Sequence, residues 1–278
     1  MRAFIPAPPG NRVGIGPIQL NAYGLMIALG VLVAASVTAR FWRQRGGHSD
    51  DVSAVLYVAV PAGVVGARIY HVITSPRQYL DHPFDVVKVW EGGLGIWGGV
   101  AVGAIVGWRL AKRRGLDATS LLDAAAVGLP LAQAVGRIGN WFNQELFGGP
   151  STLPWALVVD AAKRPAELSS FTTFHPTFLY EAIWNVLVVA PIVWWVFGRS
   201  GLRGAAFASY VATYTFGRFW IERLRVDPAT RLFGVRINEL TSIVVFVTAV
   251  AWLVACRLSL VGRTSELAFQ RDRSTASG

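Results

Sequence analysis

The chain has a single cysteine, Cys256, which excludes an internal disulfide and any metal site built from several thiolates. Charge is scarce: only 15% of the 278 residues are Asp, Glu, Lys or Arg, against 53% hydrophobic residues. With a mean hydropathy of +0.45, the composition excludes an ordinary soluble domain and makes the bilayer the expected solvent. Acidic residues are the scarcer sign, 16 against 26 basic ones, for a net charge of +10. In a soluble protein that excess would suggest nucleic acid. Here the basic residues fall in short gaps between apolar runs, a pattern that marks topology and contact with anionic membrane lipids, so no nucleic-acid partner is expected. Neither H-E-x-x-H ligand spacing nor a G-x-S-x-G elbow occurs, and no metal or cofactor is expected. Residues 1–17 hold four prolines and three glycines but no continuous apolar stretch, so they read as an external segment and not as a signal peptide.

Seven stretches have about the 20 mostly apolar residues that a spanning helix needs. They are 18–41, 52–73, 94–110, 121–141, 177–197, 202–224 and 240–258. The expected fold is therefore an all-α polytopic membrane protein of seven transmembrane helices. Residues 142–175 form its longest external loop, large enough for a small substructure, and 259–278 form a disordered cytoplasmic tail. With the amino terminus outside and the carboxyl terminus in the cytoplasm, thirteen Lys and Arg lie inside. Eleven lie outside, or six when the Arg218–Arg236 cluster is set aside. Five arginines on the outer face run against that bias: either something rewards them, such as lipid phosphate, or the loop is simply basic and solvated.

Ionisable residues within spans are costly and mark sites by default, and here they gather at the outer ends of spans. At the end of the fourth span stands GRIGNWFNQELFGG, residues 136–149. Arg137 and Asn140 share a helical face, with Glu145 about one further turn along. An arginine fork matches two phosphate oxygens, Asn donates to a phosphate or glycerol oxygen, and the glycines admit a headgroup; a structural Arg–Glu pair is the bland alternative. The sixth span ends in YTFGRFWIERLR, residues 214–225, where Tyr214, Arg218, Glu222 and Arg225 draw a polar stripe that lipid tails cannot satisfy. His175-Pro176-Thr177-Phe178-Leu179-Tyr180-Glu181 opens the fifth span, with Pro176 suited to a first helical turn. Glu181, a turn inside, needs an arginine partner, in a structural or a catalytic role. Tyr23 near the start of the first span and Arg68 near the end of the second are softer candidates, each also explicable as a residue of the interface. Cys256, near the inner end of the last span, reads as buried packing.

The 136–149 run closely resembles the signature of the prolipoprotein diacylglyceryl transferases of bacterial plasma membranes. Tyr23-Gly24-Leu25-Met26, Gly66-Ala67-Arg68, Trp90-Glu91-Gly92-Gly93 with Gly98-Gly99, the His175–Glu181 segment and Tyr214–Arg225 follow the same family in order, so the likeness spans roughly residues 3–258. It implies a multi-pass enzyme of the bacterial inner membrane, with its active site near the outer leaflet. That enzyme transfers diacylglyceryl from phosphatidylglycerol to the lipobox cysteine in the signal-peptide region of a prolipoprotein. Arg137 resembles the family's phosphatidylglycerol-binding arginine. The likeness places Arg218, Tyr23, Glu145, Tyr214 and Glu222 among the catalytic residues, and Arg137, Asn140, Gly148, Arg68, His175 and Glu181 among those that bind substrate. One position departs: where better-known members carry a histidine before the Gly-Gly pair, this chain has Trp97. A base from the third span is thereby lost, since indole only donates. Tyr23, His175, Glu145 and Tyr214 stay open as bases. A transporter lined by polar stripes is the competing reading, and it expects polar groups through the membrane depth and inverted repeats.

Overall fold

In the computed structural model, residues 4–15, 18–89, 92–227, 229–232 and 234–276 are described, with side chains except at 13, 15, 18, 19, 232, 256 and 258–276. Trp90, Glu91 and the packing expected of Cys256 lie outside that description. The chain is mostly helical: α1 (Ala22–Gln44), α2 (Ser49–Thr74), α3 (Ile96–Arg113), α4 (Ala118–Asn143), α5 (Thr177–Trp184), α6 (Ala190–Arg199), α7 (Ala205–Leu224) and α8 (Ile237–Ala276). A π-helical turn, Asn185–Val189, joins α5 to α6 as one rod. Five helical segments are long and apolar enough to cross a membrane: α1, α2, α4, the α5–α6 rod and Ile237–Ala255 of α8. The other two apolar stretches are also helices, but α3 ends in Arg109, Lys112 and Arg113, and α7 carries Arg218, Glu222 and Arg223.

Two expectations at the chain ends need correction. Residues 18–21, assigned to the first span, are strand β2 (Ile18–Asn21), paired antiparallel with β1 (Arg12–Ile15). Helix α1 starts only at Ala22, where the Asn21 side chain accepts the Tyr23 N–H at 2.8 Å and so acts as the N-cap. The tail expected to be disordered after residue 258 is helical to Ala276. Leu, Glu, Ala, Gln and Arg, all good helix formers, supply the local reason.

The chain divides into two compact units, residues 38–122 and residues 1–37 with 123–278, with the boundaries inside α1 and α4. In the first, α2 and α3 pack through small residues. A Cβ on Gly66 would lie 2.6 Å from the Gly98 carbonyl oxygen, and one on Gly103 would lie 3.3 Å from that of Ala59. Such close backbone approach is how helices associate where lipid removes the hydrophobic drive. The same unit holds Arg68 and its loop. Nε donates to Val86 O (2.8 Å), Nη1 to the carbonyls of Gly92 (2.7 Å) and Gly93 (3.0 Å), and Nη2 to those of Asp85 and Lys88 (3.3 Å). All five guanidinium N–H groups are thus engaged by backbone.

In the second unit, α1 meets α4 at Gly30 and Gly128, where an added Cβ would lie 2.9 Å from the carbonyls of Ala132 and Ala34. Asp123 of α4 caps α7 from a distance of 81 residues in sequence, taking the Gly204 N–H at 2.7 Å and the Phe207 N–H at 2.9 Å. The 142–175 loop does carry a substructure. Strands β3 (Leu157–Val158) and β4 (Thr173–Phe174) pair antiparallel, and Phe147, Leu157, Val159 and Phe174 form a buried cluster with Ile5 and Val226 against it. The last hairpin, β5 (Arg231–Leu232) and β6 (Val235–Arg236), leads directly into α8.

Candidate active site

Three helices of the second unit bring their polar positions to one point. Glu181, one turn into α5 and only 3% exposed, receives a guanidinium from each of two other helices. Arg137 Nη2 of α4 contacts its Oε1, and Arg218 Nη1 of α7 lies 2.9 Å from its Oε2. The Tyr214 hydroxyl donates to Oε1 at 2.9 Å and accepts from Arg137 at 3.5 Å. The arginine partner that burial demanded of Glu181 is therefore double. Arg137 and Arg218 together enclose a pair of oxygens in the way that bidentate arginines hold carboxylates and phosphates.

On the α4 side, Arg137 Nη1 donates to Asn140 Oδ1 at 3.2 Å, and Asn140 Nδ2 donates to Glu145 Oε1 at 2.8 Å. The sequence alternative of a direct Arg137–Glu145 pair gives way to this relay through Asn140. Glu145 lies beyond the end of α4, not on its face, because Gln144 and Leu146 take left-handed backbone conformations, φ 51° and 58°. Two non-glycine residues so placed cost about 1–3 kcal/mol each and persist where surroundings over-determine them. The surroundings here include a reciprocal pair: Gln144 Nε2 donates to Asp160 at 2.5 Å, and the Asp160 N–H returns to Gln144 Oε1 at 2.8 Å. Tyr23, at the start of α1, lies against Gly139, where a Cβ would come within 2.7 Å of its ring, and the charges acting on it are Glu145 and Arg137.

On the α7 side, Arg218 Nη2 lies 2.6 Å from Glu222 Oε2, an ion pair out of line for a hydrogen bond. Glu222 is fully buried and also meets Arg236 Nε (2.8 Å), Asn238 Nδ2 (3.0 Å) and Arg225 Nη1 (3.5 Å). Asp227 then bridges Arg225 (2.7 Å) and Arg236 (3.2 Å). Arg223 pairs with Glu239 at 3.3 Å. This revises the reading of the basic cluster: Arg218, Arg223, Arg225 and Arg236 each have a carboxylate of the chain itself as partner. Only Arg218 among them also reaches the Glu181 clamp. Asp227 and Asn238 escaped sequence reasoning, and Arg236 entered it only as one of the basic cluster, because they lie in irregular chain after α7, at the start of α8 and in β6, where no periodicity links them to Glu222.

Gly148 marks a backbone crossing. Its N–H bonds to His175 O at 2.9 Å, and an added Cβ would meet both His175 Cβ and the Leu224 carbonyl at 2.8 Å. Its lack of a side chain therefore serves the join between the external loop and the end of α7. His175 Nδ1 lies 3.1 Å from the Tyr180 hydroxyl, which in turn accepts from Trp155 at 3.1 Å. His175 is thus tied to Tyr180 of α5, and through it to Trp155 of the loop, and not to the Glu181 clamp. Arg68 belongs to the other unit, and with all its donors on backbone carbonyls it organises the 85–93 loop and has none left for a phosphate. Trp97 opens α3 with its side chain 56% exposed. Among the described residues no group of three His, Cys, Asp or Glu is arranged to hold a metal ion.

Two arginines, a tyrosine and an Asn–Glu relay thus converge on one buried carboxylate among apolar helices. The family model described as prolipoprotein diacylglyceryl transferase matches residues 12–255. The chain is similar to the phosphatidylglycerol–prolipoprotein diacylglyceryl transferase of Frankia alni, with 51% identity over 92% of this chain and 68% of that protein. Transferase 2 of the same name from Streptomyces coelicolor is 48% identical over 91% of this chain and 80% of its own length. In Cutibacterium acnes the protein of that name is 44% identical over 90% and 86%. With the family model covering far more than half of its residues, the chain belongs to the prolipoprotein diacylglyceryl transferase family.

Proposed function

We infer that the chain transfers the diacylglyceryl group of phosphatidylglycerol to the lipobox cysteine thiol of prolipoproteins, the first step of lipoprotein maturation. Family membership and the names of its relatives support the reaction. The observation that carries the site is the meeting of Arg137 and Arg218, from different helices, on the two oxygens of one carboxylate. A phosphodiester offers the same two-oxygen geometry, so the pair that grips the Glu181 carboxylate could hold a lipid phosphate in the same way. Asn140 and Gly148 stand on the substrate side of this reading, and Tyr23, Glu145, Tyr214 and Glu222 on the side of the chemistry.

The reaction is displacement at an sp3 glycerol carbon. The sulfur–carbon bond forms as the carbon–oxygen bond to phosphate breaks, glycerol phosphate departs, and the thiol proton passes to a base or to the leaving phosphate. A free thiol is only a few per cent thiolate at pH 7, so a positive field that favours thiolate and departing phosphate alike contributes at both ends of the displacement. Fixed guanidinium groups in a water-poor site are worth more than in bulk water. Tyr23 and Glu145 stand beside Arg137 as candidate bases; Tyr214 already donates its proton to Glu181, and His175 is tied to Tyr180.

Within this reading, residues 18–258 form a seven-span catalytic domain of the bacterial plasma membrane, amino terminus outside, carboxyl terminus in the cytoplasm and site at the outer leaflet. Residues 1–17 and the 142–175 loop lie outside, and residues 259–278 are cytoplasmic. Support comes from the two shorter polar helices α3 and α7, which count as spans once their charged ends are set at the interface, and from the basic bias toward the inner side. The test is incubation of purified protein with phosphatidylglycerol and a lipobox peptide. A thioether-linked diacylglyceryl mass on the peptide is expected; solute transport in proteoliposomes without that product would favour the transporter reading instead.

A further inference from the structure

At the end of the helices opposite to the Glu181 clamp, α6, α7 and α8 enclose a groove of about 590 Å³. Ala205 lines it and Arg218 belongs to the clamp, so the 13 intervening steps of α7 put about 20 Å between the two places. The walls are apolar, from Trp195, Leu202, Leu253 and Val254, and the lining includes two arginines, Arg199 at the end of α6 and Arg257 on α8. Both arginines are exposed, and neither has an ion pair or hydrogen bond among the described residues. No acidic residue lines the groove. Arg199 is held over the Trp195 ring, its guanidinium carbon 5.1 Å from the ring centre, which leaves its N–H edges unengaged.

An apolar trough with two unpaired guanidinium groups fits a molecule with a hydrocarbon body and an anionic head. We propose that this groove is a second lipid site, remote from the reaction, that takes an anionic phospholipid by its acyl chain against Trp195 and Val254 and by its phosphate between Arg199 and Arg257. The occupant is a phospholipid and not free phosphate because the walls offer apolar surface far beyond what an inorganic ion covers. The site does not depend on the transferase reading. It asks only that these helices lie in a bilayer, where basic residues near the surface attract anionic lipid by about 1 kcal/mol each.

Native mass spectrometry of the detergent-purified full chain tests it, with phosphatidic acid and phosphatidylcholine of equal chain length as probes. Wild type is expected to retain two phosphatidic acid molecules, one in each site. Arg199→Gln/Arg257→Gln should lose one of them, with about 10- to 30-fold weaker retention, while transfer from phosphatidylglycerol to a lipobox peptide is unchanged. Arg137→Ala should lose the other, so failure of the clamp and failure of the groove are read separately. Arg199→Lys/Arg257→Lys should keep the lipid. Unchanged retention in the Gln variant, or equal retention of phosphatidylcholine by wild type at the groove, would overturn the proposal; the wild-type comparison stands even if the double variant does not fold.

Discussion

Each of the two clamp arginines has a different second partner, and that decides how each should respond to substitution. Arg137 leans on Asn140, a neutral group, whereas Arg218 leans on Glu222, a buried charge. Arg137→Ala is expected to remove transfer by at least about 10²- to 10³-fold in kcat/KM, the range for losing one preorganised charge donor, while the protein still inserts. Retention of full turnover by that variant would take Arg137 out of the site. Glu181→Gln keeps the shape but removes the charge that competes with lipid phosphate, so phosphatidylglycerol should bind more tightly as kcat falls; a weaker binding curve would show that Glu181 supports the headgroup instead. Trp97→His places an imidazole at a half-exposed helix start, and substantial activity should remain. Complete loss in a well-folded variant would contradict that.

Element by element, the polar residues beyond the clamp act through where they anchor chain. The β5–β6 hairpin and the start of α8 are fastened to the end of α7 by Arg236 and Asn238 on Glu222, and by Asp227 between two arginines. Removing one partner of a buried charge group is strongly destabilising because the other is left uncompensated. Arg236→Met should therefore cost about 3–5 kcal/mol in stability. Thermal unfolding in detergent checks this, with Arg236→Lys expected to recover part of the loss. Gly148→Ala drives a methyl into His175 and the Leu224 carbonyl, which overpacking places at about 1–3 kcal/mol, with activity lost as the external loop shifts. A Gly148→Ala protein as stable and as active as wild type would remove the crossing from the account. Arg68→Ala is expected to loosen the 85–93 loop, read as faster proteolysis there, without changing phosphatidylglycerol affinity.

For the molecule as a whole, topology and lipid dependence are the measurable properties. Cysteines introduced at exposed loop positions such as Ser169 should react with impermeant reagents from outside the cell, and those near Arg114 only after permeabilisation. The reverse pattern would invert the orientation argued from basic residues. Apolar helices, their order and the helical polar stripes were legible in the residues because the bilayer imposes length and hydropathy directly. The α4 and α7 motifs were likewise legible, as charged groups that lipid cannot accept. The start of α1 was not, since Ile18–Asn21 is as apolar as a helix end and only pairing with β1 makes it strand.

Composition and spacing alone established a polytopic helical membrane protein with two arginine-bearing helix ends, because burial in lipid leaves no other place for such residues. Which charges meet was decided by tertiary packing. Glu181 between Arg137 and Arg218, Glu222 among Arg218, Arg225 and Arg236, and Arg68 turned to backbone carbonyls all involve partners whose pairing no periodicity encodes. An arginine's charge is written in the chain, but the oxygen that it reaches depends on which helices lie side by side.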